Sequence, residues 1–211
     1  MRAIIPCAGY GTRVGMSPEQ SKELLKDPVN GAPLIEYSLE ICKNLGLDPL
    51  IVTRKEKIQF NLYCLSKNVD LLIIEPEGEW TKTVLKSFEH WDHENILILP
   101  DTRFPKADSI IGNMKKDLKN GSLVSVALHK VKDPTKWCIV EDYNLIEKPH
   151  IGDVIQSMDY YAFGLIAFRK YAGYQLFQDL DKYKRYTLMK ASFQYLDSFK
   201  DITRAGQVEE W

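Results

Sequence analysis

The sequence lacks the features of several large protein classes. Its four cysteines stand far apart and form no C-x-x-C pair, which argues against a zinc knuckle and against a disulfide scaffold. No apolar run reaches the ~18–20 residues of a membrane-spanning helix, and the apolar N-terminal stretch is too short for a secretory signal. With 28 Lys and Arg against 29 Asp and Glu, the formal net charge is −1. This charge argues against a protein held on nucleic acid by bulk positive charge, although it allows a local basic groove. We therefore expect a cytoplasmic protein with reduced thiols and with neither nucleic acid nor membrane as a partner.

The chain also has no Pro/Gly/Ser-rich linker, internal repeat or low-complexity segment. Its 211 residues leave room for one sizeable domain on the usual scale of ~100–200 residues per domain. We predict a single domain over residues 1–211, in which the pattern of elements changes near residue 120. The sequence does not determine the oligomeric state.

Strands and helices alternate along the first part of the chain. The predicted elements are the strands Ala3–Cys7, Pro49–Thr53, Asp70–Ile74 and Asn95–Pro100 and the helices Pro33–Leu45, Lys55–Ser66 and Thr81–Trp91. The run Ile96–Leu99 is apolar on both faces, as in a central parallel strand covered by helices on both sides. This alternation predicts a doubly wound, mostly parallel α/β sheet of Rossmann-like type.

Beyond residue 120, predicted strands follow one another with few helices between them. They are Ser122–His129, Trp137–Glu141, Asn144–Glu147 and Tyr160–Arg169, followed by predicted helices over Arg169–Leu180 and Tyr186–Leu196. We interpret these strands as antiparallel additions to the same sheet.

The first strand runs into a glycine loop, Ala8-Gly9-Tyr10-Gly11-Thr12-Arg13, which is followed by Ser21-Lys22-Glu23-Leu24-Leu25. Such a loop presents backbone N–H groups at the carboxyl edge of the sheet, where phosphates bind. Arg13 and Lys22 supply two cations that a polyphosphate needs. The alternative is a plain strand–loop turn with solvated charges.

Three other interpretations of the loop and chain fail. A dinucleotide fingerprint requires a third glycine at position 14, which is Val14, and a P-loop requires a glycine directly before Lys22. No G-x-S-x-G or Cys/His nucleophile signature is present.

These segments resemble the sugar-1-phosphate nucleotidyltransferase family, and Ser-Lys-Glu-Leu-Leu is closest to its glucose-1-phosphate thymidylyltransferases. The resemblance continues in family order to about Arg169. It includes Gly31–Leu39, Leu99-Pro100-Asp101-Thr102, Ile139-Val140-Glu141 and Ile146-Glu147-Lys148-Pro149. It implies an enzyme that transfers an NMP group from an NTP to a sugar-1-phosphate and releases pyrophosphate. Residues 1–120 would form the nucleotide-binding part and residues 121–211 the acceptor-binding part.

The resemblance also implies a role for individual nucleotide-site residues. Arg13, Lys22 and Asp101 would be catalytic, and Asp101 would hold Mg²⁺, the expected cofactor. The nucleotide would bind at Ala8, Gly9, Tyr10, Gly11, Thr12 and, in the segment where the family reads the base, Gly78.

On the acceptor side, Glu147 would accept sugar hydroxyls and Lys148 would meet the sugar phosphate. The aromatic residues Trp137 and Tyr160 are further acceptor candidates, because a quaternary ammonium such as that of choline phosphate prefers aromatic faces. Since Glu147 and Lys148 are adjacent in an extended segment, their side chains are expected on opposite faces unless Pro149 bends the chain.

The sequence departs from the family pattern at three points. Cys138 stands where the family usually has glycine beside the sugar, and Cys7 replaces a small residue near the base. The family's second metal-binding aspartate has no counterpart at the matching place before Trp211, and Asp201 is the candidate substitute. Two alternatives therefore stay open: a cytidylyltransferase acting on choline phosphate or another non-sugar phosphate, and a non-catalytic nucleotide-sugar-binding subunit.

Overall fold

The structure is a computed structural model that describes residues 1–11, 15, 17, 19–27, 30–150, 152, 154, 159–197 and 200–201, the last two by their backbone only. The α-helices in these ranges are α1 (Leu34–Leu45), α2 (Ile58–Ser66), α3 (Trp80–Leu85), α4 (Ala107–Lys119) and α5 (Lys170–Tyr183). The strands are β1 (Arg2–Pro6), β2 (Asp48–Thr53), β3 (Asp70–Ile73), β4 (Glu94–Ile98), β5 (Thr102–Arg103), β6 (Val124–Val131), β7 (Cys138–Glu141), β8 (Asn144–Glu147), β9 (Tyr160–Arg169), β10 (Arg185–Thr187), β11 (Ala191–Tyr195) and β12 (Lys200–Asp201).

Ten of these strands form one mixed sheet. The strands β4, β1, β2 and β3 lie side by side and parallel, with β3 at one edge of the sheet. The strand β9 pairs antiparallel with β4, β6 and β7, and β8 and β10 extend the sheet beyond β7. The predicted α/β class, with mostly parallel central strands and antiparallel strands added in the C-terminal half, is confirmed.

The sheet separates two layers of buried side chains. Along β1, Ala3 and Ile5 belong to a core that includes residues of α1, α2 and α4, whereas Ile4 belongs to a core that includes residues of α3 and α5. This alternation is what a strand covered by helices on both faces requires. Because the central strands are fixed from both sides, the loops that leave their carboxyl ends have a rigid base.

Two segments of the C-terminal half differ from the sequence-based prediction. The predicted helix Tyr186–Leu196 is wrong, because the chain forms β10 and β11 there. Lys184 and Lys190 adopt positive φ angles of 56° and 49°, which turn the chain before each strand, and β11 pairs in parallel with β6. The helix α4 was not predicted, although Ile111, Met114 and Leu118 have helical spacing and are fully buried.

Among the described residues, no helix combines the length and apolar character that a membrane crossing requires.

Candidate active site

A cavity of about 390 Å³ opens where β1 and β4 end. Ligand sites of open α/β sheets form outside the carboxyl ends of the strands, and β1 and β4 are parallel neighbours. The cavity is lined by these residues that the sequence pointed to: Ala8, Gly9, Tyr10, Gly11, Lys22, Gly78, Asp101, Trp137, Glu147 and Lys148. Both halves of the chain therefore contribute to one site.

The glycine loop forms one wall of this cavity. Its start is fixed on β2, because the Cys7 N–H donates to the Val52 carbonyl at 2.7 Å. Gly11 has a φ of 69°, a left-handed conformation that favours glycine. At Gly9 a methyl group would meet nothing within 4 Å, so the space there is available to a ligand. Thr12 and Arg13 lie outside the described residues.

Lys22 and Asp101 meet as an ion pair at the cavity wall. Lys22 begins a 3₁₀ turn, Lys22–Leu24, and Asp101 follows β4. Their side chains are 18% and 9% exposed, so the pair is partly shielded from water. Charge interactions are stronger in such a shielded place than in bulk water. One cation and one anion thus lie beside the glycine loop, ready to exchange partners with a charged ligand.

A second, buried ion pair supports this turn, and the sequence analysis missed it. The Lys57 ammonium lies 2.8 Å from a Glu23 carboxylate oxygen and donates to the Cys7 carbonyl at 2.6 Å. The two side chains are 1% and 0% exposed, and Ser21 donates to the same carboxylate. Lys57 therefore connects the turn that carries Lys22 to the base of the glycine loop.

Tyr10, at the tip of the loop, rests on another buried cation. The Arg54 guanidinium carbon lies 4.2 Å from the centre of the Tyr10 ring, and Arg54 is fully buried. A cation over an aromatic face is attractive. The Arg54 guanidinium therefore packs on one face of the Tyr10 ring, which lines the cavity. The sequence pattern does not predict this contact.

Glu147 and Lys148 both line the cavity, with their side chains on the same side and not on opposite faces. Lys148 has a φ of 44°, so the chain leaves the extended conformation directly after β8. The Lys148 ammonium consequently comes within 3.3 Å of a Glu147 oxygen. The bend lies at Lys148 itself, which allows both side chains to reach one ligand.

Trp80 contacts the Glu147 carboxylate, and Cys138 lies on the neighbouring strand. The Trp80 indole N–H donates to the carboxylate over 3.3 Å, and Cys138 stands directly opposite Glu147 in the β7–β8 ladder. Burial, then the charge of Glu147 and a hydrogen bond to it, raise the pKa of the Cys138 thiol well above 9.0. The thiol is therefore neutral at neutral pH.

The other two aromatic candidates have different positions. Trp137 lines the cavity, with the His129 ring packed edge-on against it at 4.9 Å. Tyr160 is buried in a separate cluster with Val131 and Ile139 and is not among the described residues that line the cavity. Trp80 and Phe163, which were not predicted, do line it. The position of Trp80, two residues after the predicted nucleotide-site residue Gly78, could have indicated that it lies at the site.

Asp101 and Asp201 are the candidate metal ligands. Among the described residues, no three His, Cys, Asp or Glu side chains cluster as a metal site. Asp101 offers a hard oxygen ligand at the cavity wall beside Lys22, which suits Mg²⁺, an ion that takes one or two carboxylates and completes its shell with water and phosphates. The backbone of Asp201 pairs with Thr102, the residue after Asp101. The donor set therefore fits a magnesium ion that arrives with a nucleotide.

Comparisons with known proteins show the same architecture. No protein-family profile and no curated protein matches the sequence. A crystal structure described as a glucose-1-phosphate thymidylyltransferase from Bacillus anthracis, in complex with a sucrose, superposes with a TM-score of 0.75 at 18% identity over 99% of this chain and 92% of the other. A UDP-glucose pyrophosphorylase from Acinetobacter baumanii gives a TM-score of 0.68 at 16% identity over 96% and 88%. The chain therefore has a sugar-1-phosphate nucleotidyltransferase-like fold.

Proposed function

We propose that this protein is a nucleotidyltransferase that transfers an NMP group from an NTP to a sugar-1-phosphate and releases pyrophosphate. One observation carries the proposal: a single cavity brings the glycine loop and the Lys22–Asp101 pair within reach of Glu147 and Lys148. The first set suits a polyphosphate, and the second suits a phosphorylated, hydroxylated acceptor. The fold shared with the two solved structures supports the same class of reaction.

In this reaction an oxygen of the acceptor phosphate attacks the α-phosphorus of the NTP, a new P–O bond forms, and the bond to pyrophosphate breaks. The nucleophile is already an anion, so no general base is needed. Catalysis then depends on alignment and on neutralising charge. Lys22 would leave Asp101 for the α-phosphate, Lys148 would bind the acceptor phosphate, and Arg13 is our candidate for the leaving pyrophosphate.

Asp101 would hold the magnesium ion, with Asp201 as the candidate second carboxylate. When bound, the ion supplies positive charge that offsets the negative charge of the phosphates. The same charge would favour the release of Lys22, because the Asp101 carboxylate would then have a stronger partner.

The direct test is to incubate the protein with each NTP, Mg²⁺ and hexose-1-phosphates or choline phosphate, and to follow pyrophosphate release. Lys22→Ala and Asp101→Asn should each lower kcat by about 10²–10³, the usual loss when a preorganised charge is removed. Lys130→Ala, which removes an exposed lysine paired with Asp159, is the matched control and should keep the native rate. A change confined to KM in both variants would reassign Lys22 and Asp101 to ground-state binding.

Choline phosphate is the second candidate acceptor, because Trp80, Trp137 and Phe163 bring three aromatic rings to the cavity. If choline phosphate is the one acceptor that is converted, and Trp137→Ala weakens its binding, the acceptor is not a sugar phosphate. NTP binding without pyrophosphate release from any acceptor would instead indicate a non-catalytic nucleotide-sugar-binding subunit.

A further inference from the structure

The strand β3 forms one outer edge of the sheet, and among the described residues it pairs with β2 alone. Its apolar run, Leu71-Leu72-Ile73-Ile74, contains neither lysine nor proline. The charge at the start of the strand, Asp70, is bound by Arg2. Edge strands are usually protected from other chains by lysine, proline, bulges or a covering segment. The sequence of β3 therefore has no lysine or proline that would prevent its pairing with a further strand.

The backbone of β3 shows which of its groups face that edge. The Ile74 N–H donates to the Thr53 carbonyl of β2 at 2.8 Å. Because successive residues of a strand direct their backbone groups to alternate sides, Leu72 also faces β2, whereas Leu71 and Ile73 face away from it. Leu71 and Ile73 therefore each direct an N–H donor and a carbonyl acceptor to the open edge.

The helix α2 carries an exposed apolar stripe near this edge. Ile58, Leu62 and Leu65 follow one another at helical spacing and are 63%, 62% and 56% exposed. Tyr63, roughly 130° around the helix from the middle of the stripe, donates to Glu36 of α1. Since α1 also contacts α4, which covers β6 and β9, α1 lies on the interior side of α2. The stripe therefore lies on the other flank of α2, toward the edge of the sheet.

The strand and the stripe lie on the same face of the sheet. Leu71 packs against the core that contains Phe60 and Cys64 of α2. Ile73, two residues further along β3, points to the same face and is 55% exposed. Exposed apolar patches mark sites of association with other molecules. We call this patch the β3 edge surface; it consists of Ile58, Leu62, Leu65, Leu71 and Ile73.

The charges around the β3 edge surface indicate the kind of partner. They are paired within the chain, as Arg2–Asp70, Lys55–Glu75, Lys67–Glu36 and Lys86–Glu77. Because these charges balance, the surface selects neither an acidic nor a basic partner and does not repel its own copy. A second copy also supplies an identical edge, and two such edges are complementary when they run antiparallel.

We propose that the β3 edge surface is the interface of a homodimer, in which the two β3 strands pair antiparallel about a two-fold axis at Leu72. Leu71 then stands opposite Ile73 of the second copy, and the two residues exchange N–H···O bonds. An axis perpendicular to the sheet puts both α2 helices on one face, with their stripes toward each other. This inference goes beyond the proposed function and does not depend on it.

The spacing of the elements agrees with this arrangement. The helix α2 contacts both β2 and β3, so it covers the last two strands of its own copy. Across the axis it would lie about 10 Å from the second α2, which is twice the ~4.8 Å between neighbouring strands. Packed helices are usually 8–10 Å apart. The two stripes can therefore pack while the two strands pair.

Sedimentation equilibrium at micromolar concentration tests the dimer. The native protein should have twice the 24.3 kDa mass of one chain. Leu62→Glu charges both stripes and Ile73→Lys charges both edges, so like charges meet across the axis and each variant should weaken dimerisation about a hundredfold or more. Both side chains are more than half exposed, so the native Tm should be retained. Tyr171→Glu, at an exposed residue of α5, is the matched control and should leave the dimer unchanged.

A disulfide tests the register of the two strands. Leu72 stands opposite its own copy in a non-hydrogen-bonded pair, where the Cα atoms are about 4.5 Å apart, a distance that a disulfide spans. With oxidised glutathione as the oxidant, Leu72→Cys should form a covalent dimer much faster than Tyr171→Cys does. The four native cysteines are buried, so they should not contribute.

Three results would overturn the proposal. The first is a native protein that stays at the mass of one chain, which would leave the β3 edge surface to a different partner. The second is a dimer that persists in both Leu62→Glu and Ile73→Lys. The third is a Leu72→Cys variant that cross-links no faster than Tyr171→Cys, because the two-fold axis would then lie elsewhere.

Discussion

The buried pair Glu23–Lys57 gives the sharpest prediction about stability. Both side chains are almost fully buried, and Lys57 also donates to the Cys7 carbonyl. Replacing Lys57 by methionine keeps the volume but leaves the Glu23 charge buried without its cation. Breaking a buried pair in this way costs ~3–5 kcal/mol of the free energy of unfolding. For a chain of 211 residues, that corresponds to a fall in Tm of roughly 6–20 °C.

The double variant Lys57→Met/Glu23→Gln separates the two parts of this loss. It removes both charges, so the cost of the isolated carboxylate disappears. The Cys7 carbonyl still lacks its donor, which leaves a cost of ~1–3 kcal/mol. The double variant should therefore be more stable than Lys57→Met alone.

Urea unfolding at pH 7 of the native protein, both single variants and the double variant completes the cycle. Lys130→Ala, at an exposed pair, is the control and should change the stability little. The reasoning is refuted if Lys57→Met costs less than about 1 kcal/mol, or if adding Glu23→Gln makes it worse, because neither result fits a pair that is fully removed from water.

Two further predictions concern the core. A methyl group at Gly173 would lie 2.0 Å from the Phe168 ring, whereas one at Gly112 would meet nothing within 4 Å. Gly173→Ala should therefore lower the free energy of unfolding by ~1–3 kcal/mol through overpacking, and Gly112→Ala should raise it by ~0.5–1 kcal/mol. Equal changes in Tm for the two variants would contradict this. Burial raises the pKa of the Cys42 and Cys64 thiols from 9.0 to about 12. The thiols therefore ionise at a lower pH in the unfolded chain than in the folded one, and the free energy of unfolding should fall by about 1 kcal/mol per thiol between pH 9 and 10. Urea unfolding should show a smaller fall for Cys42→Ala, which lacks one of these thiols, than for the native protein.

The sequence was informative where structure depends on local pattern. The sequence predicts both the strand that leads into the glycine loop and the all-apolar run in β4. Apolar residues on both faces are typical of a parallel strand that helices cover on both sides. Those two strands are neighbours in the sheet, so the positions of Gly9 and Asp101 at one edge followed from the fold class. Helix α4 could also have been found from its spacing.

The remaining site residues depend on contacts that spacing cannot reveal. Trp80 and Glu147 are 67 positions apart, and Glu23 and Lys57 are 34 apart. Glu23 and Lys57 meet because β1 and β2, which they follow, are neighbours in the sheet. Trp80, at the start of α3, and Glu147, at the end of β8, meet although no strand next to Trp80 pairs with β8. The positive φ of Lys148 is likewise a tertiary effect, since a lysine has no local preference for that conformation.

Asp201 is the candidate second metal ligand, and its role can be tested by substitution. Its backbone pairs with Thr102, and Asp101 is the next residue in that strand's direction toward β4. If both carboxylates hold magnesium, Asp201→Asn removes one of two negative charges from a hard cation, and the Mg²⁺ concentration for half-maximal pyrophosphate release should rise by about tenfold or more. Asp197→Asn is the control, because Asp197 is exposed and pairs with Lys106 at 2.8 Å. Identical Mg²⁺ dependence in the two variants would leave Asp101 as the metal carboxylate and remove Asp201 from the site.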